Sequence, residues 1–245
     1  MYEDSDQINS DWFTKDRSES TSYRMPDRDF GYMKVKNLAL GLNVYENAIS
    51  SENCQKYIDL LESKLNGQTM YKWQEAQVTN STKPIKSARN CSDFKYKPEH
   101  FGQINHENIE LVEMHKEIYD VLKTCVDDYA TYWGMTVVYY EAFNFVKYDG
   151  PGQQFRIHAD HGPAYNCTVS AVIYLNDNYE GGELYFPRLD KLKYKPKVGD
   201  IVLCPSNYIY EHASNDIIKG TKYAVVVMTD INTLSHKEQN VRRHN

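Results

Sequence analysis

Apolar positions follow two patterns along this chain, and the change between them comes near residue 136. Upstream, "SSENCQKYIDLLESKLNG" places Cys54, Tyr57, Ile58, Leu61 and Leu65 at helical spacing, opens with capping serines and stops at Gly67. "LVEMHKEIYDVLKTCVDDYATYWG" repeats the pattern at Leu111, His115, Ile118, Leu122, Cys125, Tyr129 and Trp133, and ends at Gly134. Both segments read as amphipathic helices. His115 falls on the apolar stripe and reads as a core histidine, not a ligand.

From 136 onward the helical period is gone. Short β-branched and aromatic runs replace it: "TVVYYEAFNFVKY", "QFRIHAD", "TVSAVIYL", "ELYFP", "DIVLCP", "YIYEHA" and "KYAVVVMTD". Seven of the twelve glycines and five of the eight prolines fall within 150–220, so turns punctuate these runs. Gly199-Asp200 and Glu180-Gly181-Gly182 read as hairpin breaks. Many short strands with no helix between them predict an antiparallel sandwich or jelly roll. Helices first and sheet afterwards make the chain α+β, with an all-β working part.

The two ends differ from this body. Residues 1–33 hold eight acidic and four basic residues and, apart from Ile8, no branched aliphatic side chain. That segment cannot build a core of its own and reads as a polar, partly disordered extension. Its aromatics, Trp12 and Phe13 among them, offer packing contacts onto the domain. Residues 232–245, "NTLSHKEQNVRRHN", read as a polar, frayed tail. One domain over 34–231 remains, its jelly-roll core starting at about 136.

Charge and cysteine usage narrow the function classes. A net charge of −6 gives no basic surface for nucleic acid. The longest clean apolar run is "AVVVM" at 224–228, far short of the roughly 20 residues of a membrane span. The N-terminus lacks the basic and apolar regions of a secretory signal. Five cysteines, odd in number and never spaced as CxxC, read as reduced thiols of a cytoplasmic protein.

The chemistry gathers in "FRIHADHG", residues 155–162. In a strand, residues i and i+2 share a face, so His158 and Asp160 point together while Ala159 points away. One imidazole and one carboxylate are two-thirds of the 2-His-1-carboxylate triad that suits non-haem Fe(II) and leaves positions open. His212, in "YIYEHASN", offers a third ligand. HxD is common by chance and His212 alone could cap a strand end, so neither pattern is decisive singly. His161 has an exposed or supporting role by default. Ten residues past His212, Lys222 stands at the mouth of the last apolar run, where it either snorkels outward or turns inward onto an organic acid.

The ordered set HxD, H and K resembles the 2-oxoglutarate- and Fe(II)-dependent dioxygenases, and specifically their prolyl 4-hydroxylase-like branch. "SAVIYLNDNYEGGELYFP", "KPKVGDIVLCPS" and "HASNDIIKGTKYAV" resemble that branch's central strands, hairpin and distal-histidine segment. "VYENAISSENCQKYIDLLE" resembles its opening strand and helix, and "SARNCSDF" its substrate-side strand. The resemblance runs over roughly 42–230. It implies a double-stranded β-helix (jelly roll, cupin-like) supported by N-terminal helices. It also implies that His158, Asp160 and His212 hold iron and that Lys222 takes the distal carboxylate of 2-oxoglutarate. Tyr148 adds a hydroxyl to that carboxylate, and Ser170 lies beside the cosubstrate. The family pattern puts no catalytic base on the protein.

The implied reaction hydroxylates an unactivated C–H bond with dioxygen, converts 2-oxoglutarate to succinate and carbon dioxide, and takes ascorbate as an accessory. The branch favours a prolyl residue in a peptide or protein as substrate. Nucleobase demethylases share the triad but use arginines on the final strand, and no arginine follows Lys222 before Arg242. Halogenases lack the carboxylate that Asp160 supplies. A small-molecule hydroxylase, or a non-catalytic jelly-roll binding module, remains as the alternative.

Overall fold

Strand alternation sorts the long central strands into two faces, and both faces are covered. The computed structural model describes residues 25–66, 71–78, 81, 83–100, 104–105, 107–162, 166–234 and 236. Along Val169–Tyr174, residues Val169, Ala171 and Ile173 pack toward the helices, while Tyr174 packs on the opposite side. Ile201–Pro205 divides likewise, Ile201 and Leu203 toward the helices and Val202 and Cys204 away from them. In Thr221–Asp230, Val225 and Val227 face the helices, which puts Ala224 and Lys222 on the other face. Lys222 therefore points into the protein.

These strands centre a ten-stranded sheet whose neighbours are Leu42–Glu46, Ile201–Pro205, Val169–Tyr174, Thr221–Asp230, Phe143–Asp149 and Ser92–Tyr96 in turn. A five-stranded sheet faces it, ordered Leu192–Tyr194, Leu184–Phe186, His212–Ser214, Gln154–His158 and Arg89–Asn90. All strand pairs that build these two sheets are antiparallel, as in a jelly roll.

Helices α1 (Ser51–Leu65) and α2 (Ile109–Trp133) cover the outer face of the large sheet. The five apolar positions that the sequence sets at helical spacing in α1 are all buried. Ser50 caps its first turn by accepting from Asn53 N, and the helix ends at Leu65. Gly67, the expected stop, lies outside the described residues. In α2 the stop is Gly134, whose left-handed φ of 68° lets its N–H reach back to Ala130 and Thr131 carbonyls. His115 packs among Tyr96, Phe143 and Tyr119, and burial lowers its pKa. No helix among the described residues is long and apolar enough to cross a membrane.

The described parts of the two end segments also touch this core. Met25 and Met33 are buried, and Arg28 bridges to Asp128 of α2, which also accepts from Tyr45 Oη. At the other end His236 is buried against Asp230 at 2.8 Å and stacks on Tyr139. Trp12 and Phe13 lie outside the described residues.

Three expected strands have different limits. The run "TVVYYEAFNFVKY" forms Tyr139–Tyr140 and Phe143–Asp149, broken between them. "YIYEHA" begins as a 3-10 turn at Tyr208–Tyr210, capped by Asn207, before the strand His212–Ser214. "QFRIHAD" ends as a strand at His158, which leaves Asp160 in the following bend.

Candidate functional site

The strand bulges before His158 and ends there, so Asp160 joins His158 from a bend and not by regular alternation. His158 pairs with His212 in register, but Ser214 pairs with Phe155, so three residue steps on one strand oppose two on the other. The surplus residue is a β-bulge, and Arg156 and Ile157 both turn out to solvent there. The bulge brings Phe155 and His158 onto one side despite their odd spacing, and their rings stack at 3.6 Å. Asp160 then reaches back from the bend, with Oδ1 at 3.4 Å from His158 Nε2 and Oδ2 at 3.8 Å from His212 Nε2. Ligand atoms of His158, Asp160 and His212 all lie within 4.8 Å of one another.

Each imidazole is held from behind by a backbone carbonyl. His158 Nδ1 donates to Arg156 O at 2.7 Å, and His212 Nδ1 donates to Tyr210 O at 3.1 Å. A carbonyl only accepts, so Nδ1 carries a proton and each Nε2 is the nitrogen that faces inward. Burial would raise the Asp160 carboxyl, but His212, His158 and the Ser170 hydroxyl outweigh it and hold it well below the usual range. Two imidazole nitrogens and a carboxylate therefore converge. That donor set, with its outer nitrogens already fixed, fits a divalent cation of the iron type.

Lys222 stands one strand residue pair further along. Ser214 shares a face with His212, and its Oγ accepts from Lys222 Nζ at 2.8 Å. Gly182 O accepts a second Lys222 bond at 2.8 Å. Gly182 can present that carbonyl because its φ is +65°, and a Cβ there would sit 2.6 Å from Ile217 Cδ1. The rings of Tyr148, Tyr174 and Tyr179 surround the ammonium at 5.2, 5.3 and 5.8 Å. Burial, then Lys195, push Lys222 down to about 7, and Lys222 is only 2% exposed. A buried ammonium whose two hydrogen bonds go to neutral oxygens has charge left over that an anion could meet.

Tyr148 is the register partner of Lys222 and contacts Ser214 and Cys91, and burial pushes its phenol upward. Ser170 donates to Asp160 Oδ2 at 2.6 Å and also meets Ser206 Oγ. His161 is exposed, with Nδ1 at 3.0 Å from Cys167 O. Tyr174, Tyr179, Ser214 and the Gly182 carbonyl were not singled out from the sequence. Tyr174 shares the face of Ser170 four residues earlier, so strand parity could have found it. Tyr179 and Gly182 reach the site only because the chain folds back, and no local pattern announces that.

Residues 143–229, which contain all six candidate side chains, match the family model described as the 2OG-Fe(II) oxygenase superfamily. No curated protein sequence matches the chain significantly. Among solved structures, one similar fold is a prolyl hydroxylase from Trichoplax adhaerens in complex with a hypoxia-inducible-factor peptide fragment. It is 18% identical, with a TM-score of 0.59, over 82% of this chain and 86% of that one. Another is a prolyl-4-hydroxylase from Pseudomonas putida, 16% identical with a TM-score of 0.59, over 78% and 93% of the two chains. At these identities the likeness establishes a shared fold, the double-stranded β-helix with supporting helices.

Proposed function

We propose that this chain, whose residues 143–229 match the 2OG-Fe(II) oxygenase superfamily model, is a dioxygenase dependent on Fe(II), 2-oxoglutarate and dioxygen that hydroxylates a prolyl residue in a peptide or protein. His158, Asp160 and His212 hold the iron through Nε2, one carboxylate oxygen and Nε2. Lys222 and Tyr148 take the distal carboxylate of 2-oxoglutarate. One observation carries the reading: a His-Asp-His donor cluster and a buried lysine lie on the same face of His212–Ser214. A dicarboxylate bound to a divalent cation would satisfy both at once.

The bound iron would supply the oxidising chemistry: one atom of dioxygen enters succinate as carbon dioxide leaves, and the other becomes the new hydroxyl. The chain's part is positional. Arg156 O and Tyr210 O fix both imidazoles by their outer nitrogens, so neither can rotate away. Lys222 holds the far end of the cosubstrate, and Phe155 and Phe186 beside the histidine rings help to exclude water.

The peptide substrate is supported by the branch resemblance, and by a neighbour in fold that was solved with a peptide. The five cysteines are all buried and free, which supports a reducing, cytoplasmic location. Ascorbate belongs to this reading as an accessory reductant. The test is incubation with Fe(II), 2-oxoglutarate and proline-containing peptides, read by mass spectrometry and succinate release. A peptide gaining one oxygen atom at proline is expected. Succinate release driven only by small molecules from an extract would replace the peptide reading with a small-molecule one.

A further inference from the structure

The two oxygens of Asp160 are treated differently. Oδ2 accepts from Ser170 Oγ at 2.6 Å, and Ser170 Oγ lies 2.7 Å from Ser206 Oγ. An ionised carboxylate can only accept, so the single Ser170 proton is committed to Asp160. The proton between the two hydroxyls must then come from Ser206. Ser206 in turn contacts the Cys167 thiol. Ser170 and Ser206 are 1% and 3% exposed, so solvent does not replace a missing link. Oδ1 faces His158 Nε2 instead, at 3.4 Å. Oδ2, 3.8 Å from His212 Nε2, is near enough to swing onto an ion if its hydrogen bond were lost.

We propose that Ser206 is a positioning residue: through Ser170 it reserves Asp160 Oδ2 for hydrogen bonding and leaves Oδ1 as the one oxygen offered to the metal. The inference rests on the metal reading of the triad and deepens it. The triad is useful because three adjacent positions stay open. A cosubstrate that chelates takes two of them, and dioxygen needs the third. A carboxylate binding through both oxygens would occupy that third position. The hydroxyl pair thus keeps one coordination position free by holding one oxygen away.

The test uses the full chain loaded with Co(II), whose visible absorption reports coordination number without turnover. In Ser206→Ala the Co(II) dissociation constant is expected to rise about tenfold, as for other losses behind a metal ligand, with a changed spectrum. Ser206→Thr, which keeps the hydroxyl, should restore both. Ser170→Ala should reproduce the altered spectrum, and adding Ser206→Ala to it should change nothing further, because both act on one oxygen. Merely structural roles would add instead. Should Ser206→Ala fail to fold, Ser206→Cys takes its place, its weak S–H giving an intermediate spectrum. Wild-type affinity and spectrum in Ser206→Ala, or additive single and double variants, overturn the relay. If wild-type protein binds no Co(II), the metal reading itself fails.

Discussion

Around Asp160 the outward atoms all have partners and only the inward ones are left over, whereas around Lys222 the ammonium itself is the surplus. The triad joins one carboxylate to two imidazoles whose Nδ1 protons already go to carbonyls, so the cluster is short of positive charge. The Lys222 pocket is built from Gly182 O, Ser214 Oγ and three tyrosine rings, so it is short of negative charge. Left alone, each arrangement works against folding, because unpaired buried charge is expensive. Their shared strand, His212–Ser214, means that one chelated dicarboxylate would relieve both. On the proposed reading these are two halves of one site.

The sharpest way to break the pairing is to remove its negative pole. Asp160→Ala leaves two imidazoles, and Fe(II) or Mn(II) binding and 2-oxoglutarate turnover should both be abolished in metal titrations and succinate assays. Removing the positive pole should separate the halves. Lys222→Met should retain the metal yet weaken 2-oxoglutarate by roughly two to four orders of magnitude, since losing one member of a buried pair costs about 3–5 kcal/mol. Lys222→Arg should be milder, because the charge remains although the fork is a different shape.

Acidity tests the same difference without mutation. Lys222 in the free pocket sits at about 7, against the usual 10.5, chiefly through burial. A bound carboxylate favours the ammonium and raises that value, so binding takes up a proton above pH 7. Cosubstrate affinity should be level below 7 and fall by up to about tenfold per pH unit above it, until the bound-state value is reached. The sign reverses for the ligand-free protein. Its depressed lysine favours the neutral form, so thermal stability should gain from this group as pH rises from 7 toward 10.5. The smallest effect is expected at Gly182→Ala, where φ of +65° and the contact with Ile217 must be relieved. Displacing its carbonyl by a few tenths of an ångström should cost 2-oxoglutarate about 1 kcal/mol, roughly fivefold, by calorimetry.

Much of this was legible because period carries it. The spacing of Cys54 through Leu65 and of Leu111 through Tyr129 marks two helices with those residues buried, His115 alone being half-buried. The direction of Lys222 was not legible, because "AVVVM" is apolar at every position and only the packing of Val225 and Val227 on the helices turns Lys222 to the other face. His158 and Asp160 do face each other, but regular alternation does not join them, because the strand ends at His158 and Asp160 reaches back from the bend. A bulge leaves no mark in a single sequence when neither residue is glycine, and Arg156-Ile157 is such a case. Ser206 and Tyr179 were silent for another reason. Their partners, Ser170 and Lys222, are more than 30 residues away in the chain, and only the closed fold brings them together.

The pairing of the two half-sites is tested most directly by anaerobic calorimetry of 2-oxoglutarate with wild-type and Lys222→Met protein, each with and without Mn(II). The account predicts tight binding only to metal-loaded wild type, with Lys222→Met keeping its Mn(II) but losing the organic acid. Equal 2-oxoglutarate affinity in metal-loaded Lys222→Met and wild type, or equally tight binding without metal, would contradict it.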